Sequence, residues 1–152
     1  MKNFQNKAVD QQPNKTIEEA PSVEDFMTRD LITFTTDTDI NVVIKSLLDN
    51  RISGAPVLNE SGQVVGLIDD KDCLNVLFGN VYNRIPTSTD TVSNYMSNVM
   101  KSISIHENIL DVASVFVSSP YKRLLVMDDN DKLVGSISRR DILRAIKETT
   151  YT

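Results

Sequence analysis

The sequence predicts an α+β fold made of two tandem units that pack against each other with pseudo-twofold symmetry. The chain repeats itself at a shift of 69 residues, which pairs Gly66 with Gly135 and Asp72 with Asp141. In each copy, apolar residues recur at helical spacing and then fall in two short runs with a polar turn between them. A unit of about 55 to 60 residues buries too little surface to be stable alone, so we expect the copies to share one core.

The first helix of each unit follows a polar stretch that is typical of helix starts, TTDTD (35–39) and HEN (106–108). Five apolar positions then recur at intervals of three and four, which predicts about three helical turns with one buried face. These positions are Ile40, Val43, Ile44, Leu47 and Leu48 in the first copy, and Ile109, Val112, Ala113, Phe116 and Val117 in the second.

A hairpin and a second helix complete each unit. The runs APVL (55–58) and VVGLI (64–68) flank one polar turn, and the runs LLVM (124–127) and LVGSI (133–137) flank the other. Short apolar runs joined by a tight polar turn are typical of hairpins. The last helices are predicted from Asp70 to about Phe78 and from Arg139 to about Lys147.

Composition divides the chain into five segments: a flexible arm (1–21), the first unit (22–80), a linker (81–91), the second unit (92–148) and a tail (149–152). Ser22, with Asp25 three residues later, resembles a helix capping box, and order is expected to begin there. The stretch GNVYNRIPTSTDTVS (79–93) carries Gly, Pro, Ser and Thr, a composition that indicates a linker.

The composition excludes several functional classes. The formal net charge of −5 argues against nucleic acid as a partner, because a phosphate backbone requires a basic face. No apolar run approaches the roughly 18 residues of a membrane span, and the N-terminus lacks the apolar core of a secretory signal. Cys73 is the single cysteine, so no internal disulfide can form and a reducing, cytoplasmic location is expected.

The inventory of reactive side chains also argues against an enzyme. A zinc site of histidine and cysteine needs about four ligands, and this chain has one of each, His106 and Cys73. His106 precedes a helix start, where a solvated loop histidine is expected. The acidic stretch DDKD (69–72) suggests a magnesium-phosphate site as one alternative, but no nucleophile or base accompanies it. We expect no catalytic activity and no metal.

The repeated phrases GLIDDKD (66–72) and GSISRRD (135–141) are candidate ligand loops. In the second, a strand ends before Ser138 and a helix begins near Arg139, and the unpaired N–H groups of a helix start suit a phosphate. The Ser138 hydroxyl can donate to a phosphate oxygen, and Asp141 can accept from the vicinal hydroxyls of a ribose. Gly135 lets a ligand or a second backbone approach closely. Arg139, Arg140, Lys122 and Arg123 add positive charge.

The same residues have a purely structural interpretation. Ser138 and Asp141 also match a helix capping box, and Asp69 with Asp72 would cap a helix equally well. On these residues alone, a cap without a ligand remains an open alternative.

A wider pattern resembles a known family. The segments MTRDLITF (27–34) and RISGAPVLNESGQVVGLI (51–68), with the G-h-x-[S/T]-x-x-D loop in which h is hydrophobic, are similar to a pair of cystathionine-β-synthase (CBS) domains over about residues 22–148. The resemblance implies β-α-β-β-α units paired through their sheets. It also implies an adenosine ligand (AMP, ADP, ATP or S-adenosylmethionine) in the cleft between them, a disc-like homodimer, and regulation of an unidentified effector protein.

The resemblance assigns roles in a main pocket. Asp141 matches the ribose-binding carboxylate, and Ser138 matches the hydroxyl on the phosphate side, with Arg139 and Arg140 at the mouth. Lys122 and Arg123 match a basic pair at a strand start. The base-contacting positions fall on Ile32, Ile52, Ser53 and the Gly54 backbone, although each isoleucine taken singly also fits ordinary core packing.

A second, weaker pocket is expected around the first loop. Asp72 keeps the ribose role, Asp69 replaces the hydroxyl, and Asp70 adds another carboxylate; the facing positions are Ile103, Tyr121 and Lys122. At ~5 Å and an effective dielectric of about 20, each repulsion of a phosphate costs roughly 3 kcal/mol before screening. This pocket is therefore expected to be empty, or to take a neutral or cationic ligand such as adenosine or the sulfonium of S-adenosylmethionine.

Two functional hypotheses follow. In the first, the chain is a stand-alone regulatory module that senses an adenosine-containing ligand and signals to a partner protein. In the second, it is a ligand-free dimerisation scaffold whose loops only cap helices.

Overall fold

A computed structural model describes residues 20–83, 90–98 and 101–150 of the chain and confirms the two-unit α+β fold. Unit 1 contains β1 (Phe34–Thr35), α1 (Ile40–Asn50), β2 (Gly54–Leu58), β3 (Val64–Asp69) and α2 (Asp70–Asn83). Unit 2 contains β4 (Ser102–Ser104), α3 (Ile109–Val117), β5 (Arg123–Met127), β6 (Leu133–Ser138) and α4 (Arg139–Thr150).

Each unit is built on a three-stranded sheet of the same topology. In unit 1 the order is β1-β2-β3, with β1 parallel and β3 antiparallel to β2; β4, β5 and β6 repeat this arrangement. The predicted hairpins are the pairs β2–β3 and β5–β6. Both carry a register shift at the same repeat position, between Val57 and Leu58 and between Val126 and Met127. The 69-residue repeat is thus a repeat of structure down to the irregularities of the strands.

The first helices begin where the sequence predicts, because side chains cap them. The Asp39 carboxylate accepts a hydrogen bond from the Asn41 N–H at 2.7 Å, and the Asn108 side chain accepts from the two amides that follow Ile109. The buried positions are Ile40, Val43 and Leu47 in α1, and Ile109, Val112 and Phe116 in α3.

The buried faces of α1 and α3 are narrower than the sequence predicts. Leu48 is 72% exposed and its repeat equivalent Val117 is 88% exposed, so the prediction of burial was wrong at these two positions. Each lies one residue beyond the last buried position of its helix, which turns its side chain away from the core.

The second helices are longer than predicted. α2 continues to Asn83, so residues 79–83 of the stretch expected as a linker are helical, and α4 continues to Thr150. Ser22 does cap a helical turn, as its hydroxyl accepts from the Glu24 N–H at 3.1 Å, but this turn is a 3-10 helix of three residues. The expected arm at 1–19, residues 84–89 and the end of the tail lie outside the described residues.

The expectation of a single shared core was wrong, because the buried apolar side chains form two clusters, one in each unit. The units are nonetheless interleaved. Val23, at the start of unit 1, is buried in the cluster of unit 2, and its N–H donates to the Glu107 carbonyl at 2.9 Å. Reciprocally, Val92 is buried in the cluster of unit 1, and its N–H donates to the Thr38 carbonyl at 2.8 Å. The core of each unit is therefore completed by the first residues of the other unit.

Two glycines make this exchange possible. A Cβ at Gly135 would lie 2.7 Å from the Thr28 carbonyl oxygen and 2.9 Å from Met27 Sδ, and one at Gly66 would lie 2.6 Å from Met96 Sδ. Of the two uses that the sequence left open for Gly135, the structure therefore shows the close approach of a second backbone segment. Two backbone hydrogen bonds stabilise the same contact: the N–H groups of Thr28 and Ser136 each donate to the carbonyl of the other residue at 2.9 Å.

Candidate functional site

A cleft of about 810 Å³ lies between the two units and contains most of the residues that the sequence selects. This volume is in the range of sites for small molecules. The predicted residues that line it are Ile32, Ile52, Ser53, Gly54, Asp69, Tyr121, Lys122, Arg123, Ser138, Arg139 and Arg140. Asp141, Asp72 and Ile103 are not part of its lining.

The second loop forms a complete capping box. The Ser138 N–H donates to Asp141 Oδ2 at 2.9 Å, and the Asp141 N–H donates to Ser138 Oγ at 3.1 Å. The loop therefore caps α4, as its purely structural interpretation predicts. The cap leaves the Ser138 hydroxyl proton and Asp141 Oδ1 for other partners. Arg144 Nη1 approaches Oδ1 at 3.5 Å, which is long for a hydrogen bond, and the Asp141 side chain is 16% exposed.

Strand register brings the basic pair to the second loop. Arg123, the first residue of β5, lies opposite Ser138, the last residue of β6, and the Arg139 N–H donates to the Lys122 carbonyl at 3.1 Å. The guanidinium of Arg123 is engaged elsewhere, since it donates to Ser136 Oγ at 2.8 Å. Within the described residues, Lys122, Arg139 and Arg140 have no side-chain partner and remain available to an anion.

The first loop has the same cap with different chemistry. The Asp69 N–H donates to Asp72 Oδ2 at 3.1 Å, and the Asp72 N–H donates to Asp69 Oδ1 at 2.8 Å. Burial raises the pKa of the Asp72 carboxyl; the hydrogen bond from the Asp69 backbone opposes this rise, and the Asp69 side chain adds to it. The loop thus concentrates negative charge where the second loop has a hydroxyl.

Ser53 and Gly54, which the resemblance placed in the main pocket, lie beside the first loop. Gly54 is paired with Asp69 across the hairpin, and the Ser53 carbonyl accepts from the Asp70 N–H at 2.8 Å. They still line the common cleft, because both loops open into it.

Ile103 does not reach the cleft. It is 5% exposed and packs in the core of unit 2. The repeat equivalent of Ile32 is Lys101, which does line the cleft and which the sequence analysis missed, although a strict 69-residue count identifies it. Arg51, the residue after α1, was also missed; it lines the cleft with its backbone in the left-handed region, at φ 55°.

The remaining reactive groups lie outside this cleft. Burial, followed by the charges of Asp72, Asp69 and Asp70, raises the pKa of the Cys73 thiol to about 11. His106 Nε2 is 2.9 Å from Asp129 Oδ1 on the surface, and this hydrogen bond raises the pKa of the imidazole. Among the described residues, no three carboxylate, thiol or imidazole groups converge to hold a metal ion.

The fold and the cleft define a pair of CBS domains. The chain belongs to the CBS domain family, whose sequence pattern matches residues 23–79 and 92–148, once in each unit.

The chain is similar in sequence to known proteins. The chain is 30% identical over 149 residues to the CBS domain-containing protein CBSX1, chloroplastic, of Arabidopsis thaliana, covering 82% of this chain and 63% of that protein. It is 28% identical over 121 residues to the 5′-AMP-activated protein kinase subunit gamma-3 of Sus scrofa, covering 78% of this chain and 24% of that protein. The chain thus spans less than two thirds of the length of these relatives.

A solved structure, that of CBSX2 from Arabidopsis thaliana in complex with AMP, has a TM-score of 0.71 to this fold at 26% identity. The match covers 84% of this chain and 97% of that chain. None of the helices in the described part of the chain is long and apolar enough to cross a membrane.

Proposed function

We propose that this chain is a regulatory module that binds an adenosine nucleotide of the AMP, ADP or ATP class in the cleft between its units and signals its occupancy to a partner protein. The observation that carries this proposal is the surroundings of the second loop. Ser138 and Arg139, where β6 meets α4, line the cleft together with Arg140 and Lys122, and the three cations have no side-chain partner in the described structure. Asp141 lies behind this lining, one turn further along, with its side chain 16% exposed.

The relatives support the ligand class. CBSX2 was solved with AMP, and the gamma-3 relative is named as a subunit of an AMP-activated kinase. Signalling by such a module requires that the ligand bind one arrangement of the two units better than another. A cleft with walls from both units supports this mechanism, because a bound ligand would contact both units and its affinity would depend on how they are arranged.

The two loops serve different ligands in this proposal. The main pocket at Ser138 takes the nucleotide phosphates. The pocket at Asp69 disfavours them, and adenosine or the sulfonium of S-adenosylmethionine suits its charge. The exposed apolar side chains of Leu48, Val117 and Leu143 support a homodimer. The buried, unpaired Cys73 suits a reducing compartment such as the cytoplasm, and regulation of an effector protein, not catalysis, is the role we assign.

The ligand-free scaffold remains the second candidate, and one observation favours it. Both loops complete their own capping boxes, so neither needs a ligand to satisfy its backbone amides.

A ligand panel separates the two candidates. Native mass spectrometry of freshly purified protein should reveal co-purified nucleotide. In thermal-shift measurements, a ligand at 100 times its dissociation constant should stabilise the fold by about 2.7 kcal/mol. If AMP, ADP, ATP and S-adenosylmethionine all leave the melting temperature unchanged, the sensor proposal fails and the scaffold stands.

A further inference from the structure

The cleft carries a charge opposite to that of the chain as a whole. Among the residues that the structure describes, six cations and two carboxylates line it, an excess of four positive charges in a chain whose formal net charge is −5. A cleft lined by an excess of one charge concentrates ligands of the opposite charge. The carboxylates are Asp30 and Asp69, and the cations are Arg51, Lys101, Lys122, Arg123, Arg139 and Arg140.

Five of these cations lie along one edge of the sheet of unit 2. Lys101 precedes β4, and Lys122 and Arg123 lie at the start of β5. Arg139 and Arg140 follow the end of β6. Because β4 is parallel and β6 antiparallel to β5, these three strand ends share one edge, and this edge faces the cleft.

Backbone hydrogen bonds place these cations in a row across the edge. On one side of β5, the Leu125 N–H donates to the Lys101 carbonyl at 3.3 Å; on the other side, the Arg139 N–H donates to the Lys122 carbonyl at 3.1 Å. Adjacent strands lie about 4.8 Å apart, so the backbones of Lys101 and Ser138 are separated by two strand spacings, roughly 10 Å. A chain of phosphates can contact such a row at several points, whereas a single phosphate contacts only part of it.

The fold does not require this row, because unit 1 has the same strands without it. The repeat equivalents in unit 1 are apolar, small or acidic, and none of these four residues carries a positive charge. They are Ile32 for Lys101, Ser53 for Lys122, Gly54 for Arg123 and Asp70 for Arg139.

We propose that the cleft selects a ligand with a chain of three phosphates, such as a nucleoside triphosphate, over a nucleoside monophosphate, and that Lys101 sets this preference. At pH 7 one phosphate group carries about 1.5 to 2 negative charges and each further phosphate adds roughly one more, so three phosphates match the excess of four positive charges.

The position of Lys101 explains its role. The inference rests on the proposed function, which places the first phosphate at Ser138, at the β6 end of the row. From there a phosphate chain extends past Lys122 towards Lys101, at the β4 end. The single phosphate of AMP stays at the Ser138 end, so Lys101 contributes to the binding of the longer ligand alone.

Calorimetric titrations with AMP, ADP and ATP, in EDTA to keep the nucleotides free of metal, test the preference. We expect the wild-type chain to bind ATP at least about tenfold more tightly than AMP, with ADP between them, because charge-assisted hydrogen bonds to the added phosphates are strong. We expect Lys101→Gln to weaken ATP by a similar factor and to leave AMP unchanged. Equal affinities of the wild-type chain for AMP and ATP would overturn the inference.

A second lysine provides the matched control. Lys132 lies in the turn between β5 and β6, at the end of these strands away from the cleft. Lys132→Gln removes the same charge from the chain, and we expect it to change neither affinity. If it weakens ATP as much as Lys101→Gln does, the effect belongs to the total charge, and the role of Lys101 is contradicted.

Inorganic tripolyphosphate separates this inference from the proposed function, because it carries three phosphates and no nucleoside. If it binds as tightly as ATP and loses affinity in Lys101→Gln, the selection of three phosphates is supported and the adenosine sensor is contradicted. If AMP binds as tightly as ATP and tripolyphosphate does not bind, the sensor is supported and the selection is overturned. Absence of binding by all of these compounds would overturn both.

Discussion

Asp69 and Ser138 occupy equivalent positions and perform the same structural task with different chemistry. Each accepts the N–H of the aspartate three residues later, and each donates its own N–H to that carboxylate. A change from hydroxyl to carboxylate is therefore neutral for the cap. It is not neutral for a phosphate ligand, so we expect the difference to appear in binding and not in folding.

The two aspartates for which we propose a ribose-binding role, Asp141 and Asp72, provide a matched pair. Asp141→Ala and Asp72→Ala each remove one equivalent capping bond and should each destabilise the fold by about 1 kcal/mol. We expect Asp141→Ala to abolish binding of phosphate-bearing nucleotides in isothermal titration calorimetry, and Asp72→Ala to change it little. Equal losses in the two variants would contradict the division of the cleft into unlike pockets.

The replacement Asp69→Ser tests whether the first pocket can be made to bind a phosphate as the second is proposed to do. It restores the hydroxyl and removes one charge whose repulsion of a phosphate is worth roughly 3 kcal/mol before screening. We expect the affinity of the first pocket for AMP to rise more than tenfold, so that titrations show a second site. The variant Asp69→Asn, which removes the charge without adding a hydroxyl, separates the two contributions.

Cys73 should be chemically silent in the folded protein. The residue is 5% exposed and the pKa of its thiol is raised to about 11, so the thiolate is scarce at neutral pH. We expect reaction with a disulfide reagent at pH 7.5 to be at least a hundredfold slower than in the urea-unfolded chain. A fast reaction under native conditions would show that α2 opens locally.

At the scale of the elements, the sequence predicted both hairpins and the starts of all four long helices, because polar caps and apolar spacing act locally. The short strands β1 and β4 were implied only by the family resemblance, since two or three residues carry no periodic pattern. It predicted less well where a side chain's partner is distant in sequence. The burial of Val23 and the glycine contacts depend on the other unit, and the engagement of Arg123 by Ser136 depends on the pairing of β5 with β6. Leu48 and Val117 fitted the apolar spacing but lie at the edge of the buried face.

Alanine substitutions at two glycines distinguish a contact with a distant segment from the local helix propensity. At Gly135 an added Cβ would lie 2.7 Å from the Thr28 carbonyl oxygen, and this contact cannot relax without moving the backbone. We expect Gly135→Ala to lower the free energy of unfolding by about 1–3 kcal/mol. Gly79, in α2, meets nothing within 4 Å, and Gly79→Ala should raise stability by about 0.5–1 kcal/mol through helix propensity. Destabilisation by both in urea titrations would contradict this reading.

At the scale of the molecule, the exchange of Val23 and Val92 makes the two units interdependent, and it explains why units of this size are stable together. The candidate cleft depends on the same arrangement. The sequence identified the loops of the cleft, because they repeat. It did not identify Arg51 as a lining residue, and it selected Ile103 where Lys101 lines the cleft. Which residues face the cleft depends on how the two sheets are placed.

The interdependence can be measured. Val23→Ala and Val92→Ala each open a cavity at a fully buried position, one in each cluster, and each should cost about 2 kcal/mol. We expect both variants to shift one common unfolding transition, seen alike by calorimetry and circular dichroism. Val42→Ala, at a 56% exposed site on α1, should change stability by less than about 0.5 kcal/mol. Two separate transitions would contradict the interdependence.

The exchange also sets an order of events during synthesis. Residues 20–28 leave the ribosome before their partners, because they pack against α3 and β6, which are translated about a hundred residues later. Unit 1 likewise lacks Val92 until its own last helix has been made. We therefore expect the nascent chain to hold an unfinished first unit until the second emerges, and the two units to reach their native state in one late step.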